Sequence, residues 1–286
     1  GPPMSLRRGL LLLVLLALAL LGWQWQRYQR FADTPLAGVG PDASVVVARG
    51  DALPAILRHL RAQGIATGTP LYWQLLARQT GAAGHIQAGE YALPAGITPR
   101  ALLVAMRDGK VLRRRFTIVE GWNIRDLRAA LAKVPLLRHA TTGMDDAALM
   151  AALGHPGQHP EGRFLPETYA WVRGDSDLDL LRRAHAAMDE ALDAAWRGRA
   201  PGLPLRSADE ALVLASIVEK ETGVADERPR IAGVFVRRLQ AGMRLQTDPA
   251  VIYGMGERYA GNIRRADLTT DTPYNTYTRD GLPPTP

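Results

Sequence analysis

Two glutamates, Glu219 and Glu221, stand two positions apart in the stretch LASIVEKETG (residues 214–223), with Lys220 between them and an apolar run before them. A side-chain carboxyl that stays protonated near neutral pH can act as a general acid, so such a stretch can hold a catalytic group. The same pattern is also that of an ordinary charged helix end. Other reactive types are scarcer. Cysteine is absent from the 286 residues, which excludes thiol nucleophiles, zinc-thiolate sites and disulfides. Ser216 falls in mid-helix without an elbow sequence or a paired histidine, and makes a poor nucleophile. His155 and His159 have a spacing seen in metal sites, yet they sit among Pro and Gly with no third ligand in view, and read as loop histidines. No metal and no cofactor is expected.

The glutamates must be positioned by a helix. Ser207 and Glu210 form a capping-box pattern, so a helix is expected from Ala208 to Thr222, with Gly223 taking the left-handed position after it. At about 100° per residue, Leu212, Val213, Leu214, Ile217 and Val218 define its apolar face. Glu221 projects within about 20° of that face's centre, whereas Glu219 projects opposite, toward solvent, and Lys220 lies to the side. Burial and the negative end of the helix macrodipole would both favour the protonated form of a carboxyl placed like Glu221. The competing reading, a glutamate paired with an arginine beside a helix end, stays open at this stage.

Upstream, Ser44–Ala48 reads as a strand. A helix follows in GDALPAILRHLRAQGI with Gly64 as its stop, then a second helix ending at Gly81, a strand or hairpin arm at His85–Leu93, and a third helix. That third helix has Thr98 as N-cap, Pro99 in the first turn and Gly109 as its close. Residues 44–112 therefore form a small strand–helix–helix–strand unit. Arg113–Ile124 reads as a strand leading into a turn; its three arginines lack interleaved aromatics, so a solvated edge is expected and nucleic acid is not. From Ile124 onward the pattern is mostly helical, broken by GHPGQHPEGRFLPETYAW.

The amino terminus joins Arg7 and Arg8 to an unbroken apolar run, Leu10–Leu21, followed by Trp23 and Trp25. A signal peptide and a single membrane anchor both fit; continuation of the run past Ala19 and the interfacial tryptophans favour the anchor. Gly1-Pro2-Pro3 ahead of Met4 read as an expression scar, residues 4–27 as cytoplasmic start and anchor, and residues 28–43 as a linker. A net charge of +7 and a pI near 10 favour a polyanionic partner, whether nucleic acid, an anionic membrane surface or an acidic wall polymer.

The stretches LASIVEKET, GVFVRRLQAGMRLQTDPAVIYGMGERY, NTYT and GLPP, with HIQAGEYAL, VEGWNIRDL and GRFLPETY upstream, resemble the YceG-like family. The resemblance is close over residues 211–284 and looser before them. It implies an α+β protein with an amino-terminal membrane anchor, a small LysM-like subdomain and a larger, mainly helical, lysozyme-related catalytic domain at 113–286. It also implies lytic cleavage of the MurNAc-β-1,4-GlcNAc bond in nascent peptidoglycan strands, giving 1,6-anhydroMurNAc ends without uptake of water. In that family the second glutamate of EKET is catalytic, which falls on Glu221. Gln246, Asp248, Tyr253, Asn275 and Tyr277 are nominated as substrate-binding residues, and Glu167 as a minor support.

Asp248 is the candidate second carboxylate of an alternative muramidase-type hydrolase; preceding Pro249, it could instead N-cap the next helix. A non-catalytic, membrane-held peptidoglycan-binding scaffold is the other alternative. Expected partners are glycan strands, the membrane and, by resemblance alone, peptidoglycan synthases. The expected place is the inner (cytoplasmic) membrane, single-pass, with the catalytic part in the periplasm. Family members continue beyond GLPP, so the catalytic domain is expected to be shortened at its carboxyl end.

Overall fold

The structure, a computed structural model, describes residues 6–286; the expected scar and Met4 lie outside the described residues. Helix α1 (Leu6–Asp33) is long and apolar enough to cross a membrane, with mean hydropathy 1.8 in its most apolar window. Leucines 10–13 and both tryptophans are exposed along it. The chain then divides into two compact units, one ending at Arg114 and one spanning Arg115–Pro286.

The first unit corrects the expected linker. α1 continues to Asp33, and Tyr28, Phe31 and Ala32 are buried in the unit's core, where Phe31 meets Trp73 edge-on at 5.3 Å. Tyr28 donates from its hydroxyl to Gln79 (2.6 Å), and Arg100 pairs with Asp33 (2.8 Å). The positions 28, 31 and 32 do have i, i+3, i+4 spacing; Pro35 ends the pattern too soon for the period to stand out. Strand β1 (Ser44–Val47) pairs antiparallel with β2 (Gly89–Ala92), shorter than the expected arm, with Val45 opposite Tyr91. Between them lie α2 (Leu53–Ala62) and α3 (Pro70–Thr80), and α4 (Pro99–Asp108) follows. The Thr98 hydroxyl accepts from the Ala101 N–H (3.1 Å), and Gly109 closes α4 in the left-handed region (φ 65°), as its sequence requires.

In the second unit, β3 (Arg114–Thr117) pairs with β4 (Thr168–Trp171), a strand hidden in the sequence by the loop residues around it. Arg113 and Arg115 are exposed, as a solvated edge requires. α5 (Ile124–Ala132) and α7 (Asp177–Arg197) each open with a complete capping box, from Asn123 with Asp126 and from Ser176 with Asp179. α6 (Asp146–Ala152) lies between them, and the core joins Phe116, Leu127, Leu149, Met150, Trp171 and Leu181. A second cluster holds the glutamate helix. Leu214, Ile217 and Val218 of α8 (Ala208–Glu221) pack with Phe235 of α9 (Arg228–Gln240) and with Leu245, ahead of α10 (Asp248–Met255) and α11 (Arg265–Thr269). Small two-stranded sheets beside far more helix make the chain α+β.

Candidate active site

Ser207 caps α8 by accepting from the Glu210 N–H (3.2 Å); Glu210 reaches one residue further back than a capping box requires, to the Arg206 N–H (2.7 Å). At the other end the structure departs from expectation. Glu221 is the last helical residue, and Thr222 leaves in extended geometry (φ −149°), so Gly223 does not take the left-handed role. The Thr222 hydroxyl donates to Glu227 (2.8 Å) and accepts from the Val224 N–H (2.9 Å), which turns the chain into α9.

The wheel gave the direction of Glu221 but not its burial. The apolar stripe packs through Ile217 and Val218, one turn below, and nothing covers the last residue, so the Glu221 side chain is exposed. It nonetheless points toward α10, where the buried Thr247 donates its hydroxyl proton to Glu221 Oε1. Glu219 is half-buried rather than solvated, because Arg228 from α9 approaches it at 3.6 Å. The arginine-paired glutamate of the competing reading is thus Glu219.

Thr247 is the N-cap residue of α10, but its side chain caps nothing in that helix; it is turned to Glu221. Its backbone is clamped by Thr276, whose hydroxyl accepts from the Thr247 N–H (2.9 Å) and donates to the Thr247 carbonyl (3.2 Å). Gln246, just before, adopts a left-handed backbone (φ 51°) with its N–H on the Thr276 carbonyl (3.2 Å). Asp248 does not cap α10 either. It occupies the first helical position and accepts from the Tyr277 hydroxyl (2.7 Å). That bond is the largest cause, ahead of burial and the negative charges of Asp248 and Glu221, of a Tyr277 pKa pushed up to about 12. The tyrosine is therefore a lasting donor at neutral pH.

Of the nominated residues, Asp248 and Tyr277 gather beside Glu221. Gln246 adjoins them, exposed, with its side-chain carbonyl facing Arg238 (3.4 Å). Asn275 and Tyr253 have other work. Asn275 is buried and donates to the carbonyls of Asp267, Leu268 and Thr270 while accepting from the Tyr277 N–H, so it organises the loop that carries Tyr277. Tyr253 donates to Glu161 (3.0 Å), a buried carboxylate that also accepts from the Ile124 N–H (2.9 Å). Burial raises the Glu161 pKa against the lowering effect of those bonds. Glu167 accepts from its neighbour Thr168 N–H (3.1 Å) on the exposed edge of β4.

Thr247, Thr276 and Glu161 were missed by sequence reasoning. Threonine carries no periodic signal, and Glu161 lies in a Pro- and Gly-rich stretch that reads as loop. One further group could offer ligands to a metal: His155, His185 and Asp189, with ligand atoms within 4.8 Å of one another. The two rings stack at 3.9 Å, and both His185 nitrogens already face protein partners, Gln158 (2.7 Å) and Asp189 (3.3 Å). That arrangement suits a packed hydrogen-bond cluster better than converging metal ligands.

Known proteins resemble this chain over much of its length. A Bacillus subtilis protein named endolytic murein transglycosylase is 26% identical over 260 residues, which is 85% of this chain and 71% of that protein. Streptococcus pneumoniae proteins of the same name are 33% identical over 163 residues, 55% of this chain and 27% of theirs, so the chain spans about a quarter of their length in the matched part. A YceG-like protein of Listeria monocytogenes, known from a crystal structure, superposes with a TM-score of 0.50 at 25% identity, covering 86% of this chain and 85% of that one. The YceG-like family model matches residues 45–286, and the chain belongs to that family.

Proposed function

We propose that this chain is a lytic transglycosylase that cleaves the MurNAc-β-1,4-GlcNAc bond within peptidoglycan strands. The observation that carries the reading is the state of Glu221: an exposed carboxyl on a helix end, with Oε1 held by Thr247 and, among the described residues, no hydrogen bond to Oε2. The names of the relatives supply the reaction class.

One carboxyl suffices for the chemistry. Protonated Glu221 donates to the glycosidic oxygen as the bond to the muramic anomeric carbon breaks, and an oxocarbenium-like transition state develops. The carboxylate then takes the proton of the muramic 6-hydroxyl while that oxygen closes on the anomeric carbon. The acid is regenerated, no water is consumed, and the new end is 1,6-anhydroMurNAc. A hydrolase would call on a second carboxylate, and Asp248 is already engaged by Tyr277.

The helix α1 supports a single-pass anchor, and we place the catalytic unit on the periplasmic side of the inner membrane, acting on nascent strands near the synthases. The β1–α2–α3–β2 order of the first unit supports a LysM-like role in holding glycan. Digestion of uncrosslinked glycan strands with Glu221→Gln and Glu219→Gln tests the reading. Mass analysis should find anhydro ends with Glu219→Gln and none with Glu221→Gln. Reducing ends, one water heavier, would instead identify a hydrolase, and binding without shortening a scaffold.

A further inference from the structure

We propose that Thr247 is a positioning residue that decides which oxygen of Glu221 carries the catalytic proton; the proposal rests on the transglycosylase reading above. A threonine hydroxyl has one proton to give. Thr247 gives it to Oε1 of Glu221. Thr247 is 2% exposed, and Thr276 ties both its N–H (2.9 Å) and its carbonyl (3.2 Å), so its hydroxyl does not wander. While Oε1 accepts from Thr247, the acid proton is favoured on Oε2. Oε2 is the oxygen left to meet a substrate. Without the hydroxyl, either oxygen can carry the proton, and part of the enzyme holds it turned toward the protein.

The same bond acts after proton transfer. A donor aimed at a carboxylate favours the charged form, so Thr247 supports the anion that remains once the leaving oxygen has been protonated. The other charged or titratable groups on the elements packed there are Asp248 with its neutral donor Tyr277 on the α10 side, Glu219 and Lys220 on α8 itself, and Arg228 and Arg238 of α9, which face Glu219 and Gln246. All of them persist when Thr247 is changed, so a change at Thr247 isolates the hydroxyl.

The test compares wild type with Thr247→Val, Thr247→Ala and Thr247→Ser in the full chain, each checked for folding by circular dichroism. Release of anhydro ends from uncrosslinked glycan strands is followed against substrate concentration. Loss of a hydrogen bond to a charged group corresponds to about a 10- to 100-fold fall in kcat, with KM unchanged. Thr247→Ser should restore the rate. A wild-type rate in Thr247→Val or Thr247→Ala overturns the proposal. So does a loss that falls on KM rather than kcat, or one that serine shares in full, since a merely structural threonine gives those results. Anhydro ends released by Glu221→Gln would overturn the transglycosylase reading itself, independently of what Thr247 does.

Discussion

Glu219 and Glu221 share a helix end and a residue type, and α9 and α10 separate their fates. Arg228 takes the first, Thr247 the second. Replacing Glu219 by Gln removes half of a partly exposed ion pair, which costs about 1 kcal/mol or less, and should leave most of the activity. Replacing Glu221 by Gln should abolish it. Asp248→Asn should slow the enzyme, because it weakens the hold on Tyr277, yet the product should still carry the anhydro end by mass; a switch in product would show Asp248 taking part as a base. At this scale the sequence yielded the direction of the key side chain and two of its neighbours. It could not yield Thr247, whose part depends on a contact 26 positions away in the chain. Nor could it reveal that Asn275 is absorbed by its own loop, since an amide suits a sugar hydroxyl and a turn carbonyl equally well.

Helix α10 brings Thr247 and Asp248 to Glu221 at one end, and its Tyr253 reaches Glu161 further along. Glu161 also holds the first turn of α5 through the Ile124 N–H, so one buried carboxylate joins three segments. Glu161→Ala strands both donors and should destabilise the fold by about 2–4 kcal/mol in denaturant unfolding. Glu161→Gln can accept from Ile124 and donate to the Tyr253 oxygen, and should cost less. The sign of the pH dependence follows from burial. Burial raises this carboxyl's folded pKa above its unfolded value, so its protonated form is favoured in the folded state. Its contribution is therefore most favourable below the unfolded pKa and declines as pH rises through the folded one. Glu161→Gln should flatten that decline, measured as unfolding free energy from about pH 4 upward. Elements whose caps are local were legible: the Thr98 and Ser207 starts and the Gly81 and Gly109 stops stand where their residues put them. The end of α8 was not, because Glu227 offers Thr222 a partner and draws the chain into extended geometry before Gly223. β4 escaped for a related reason, since a four-residue strand needs its partner β3 to be recognised.

Across the whole molecule, the membrane-compatible helix and the first unit are one piece. Removing residues up to Gln26 should leave the melting temperature of that unit nearly unchanged. Removing residues up to Asp33 also takes Tyr28, Phe31 and Ala32 out of its core and should lower it by about 10 °C or more. The division near residue 114 follows the sequence's shift from strand–helix–helix–strand to helix-rich pattern. The expected linker failed because buried aromatics near a helix end look, in isolation, like irregular chain. Its absence has a mechanical consequence. A flexible tether would let a tethered body drift and sample a wide shell above a lipid surface. Here the helix that would cross the lipid is also a wall of the first folded body, stapled by Tyr28 to Gln79 and by Asp33 to Arg100. Were that helix to cross a membrane, the body would have no slack: it would keep the tilt of its stalk and turn only when the stalk turns.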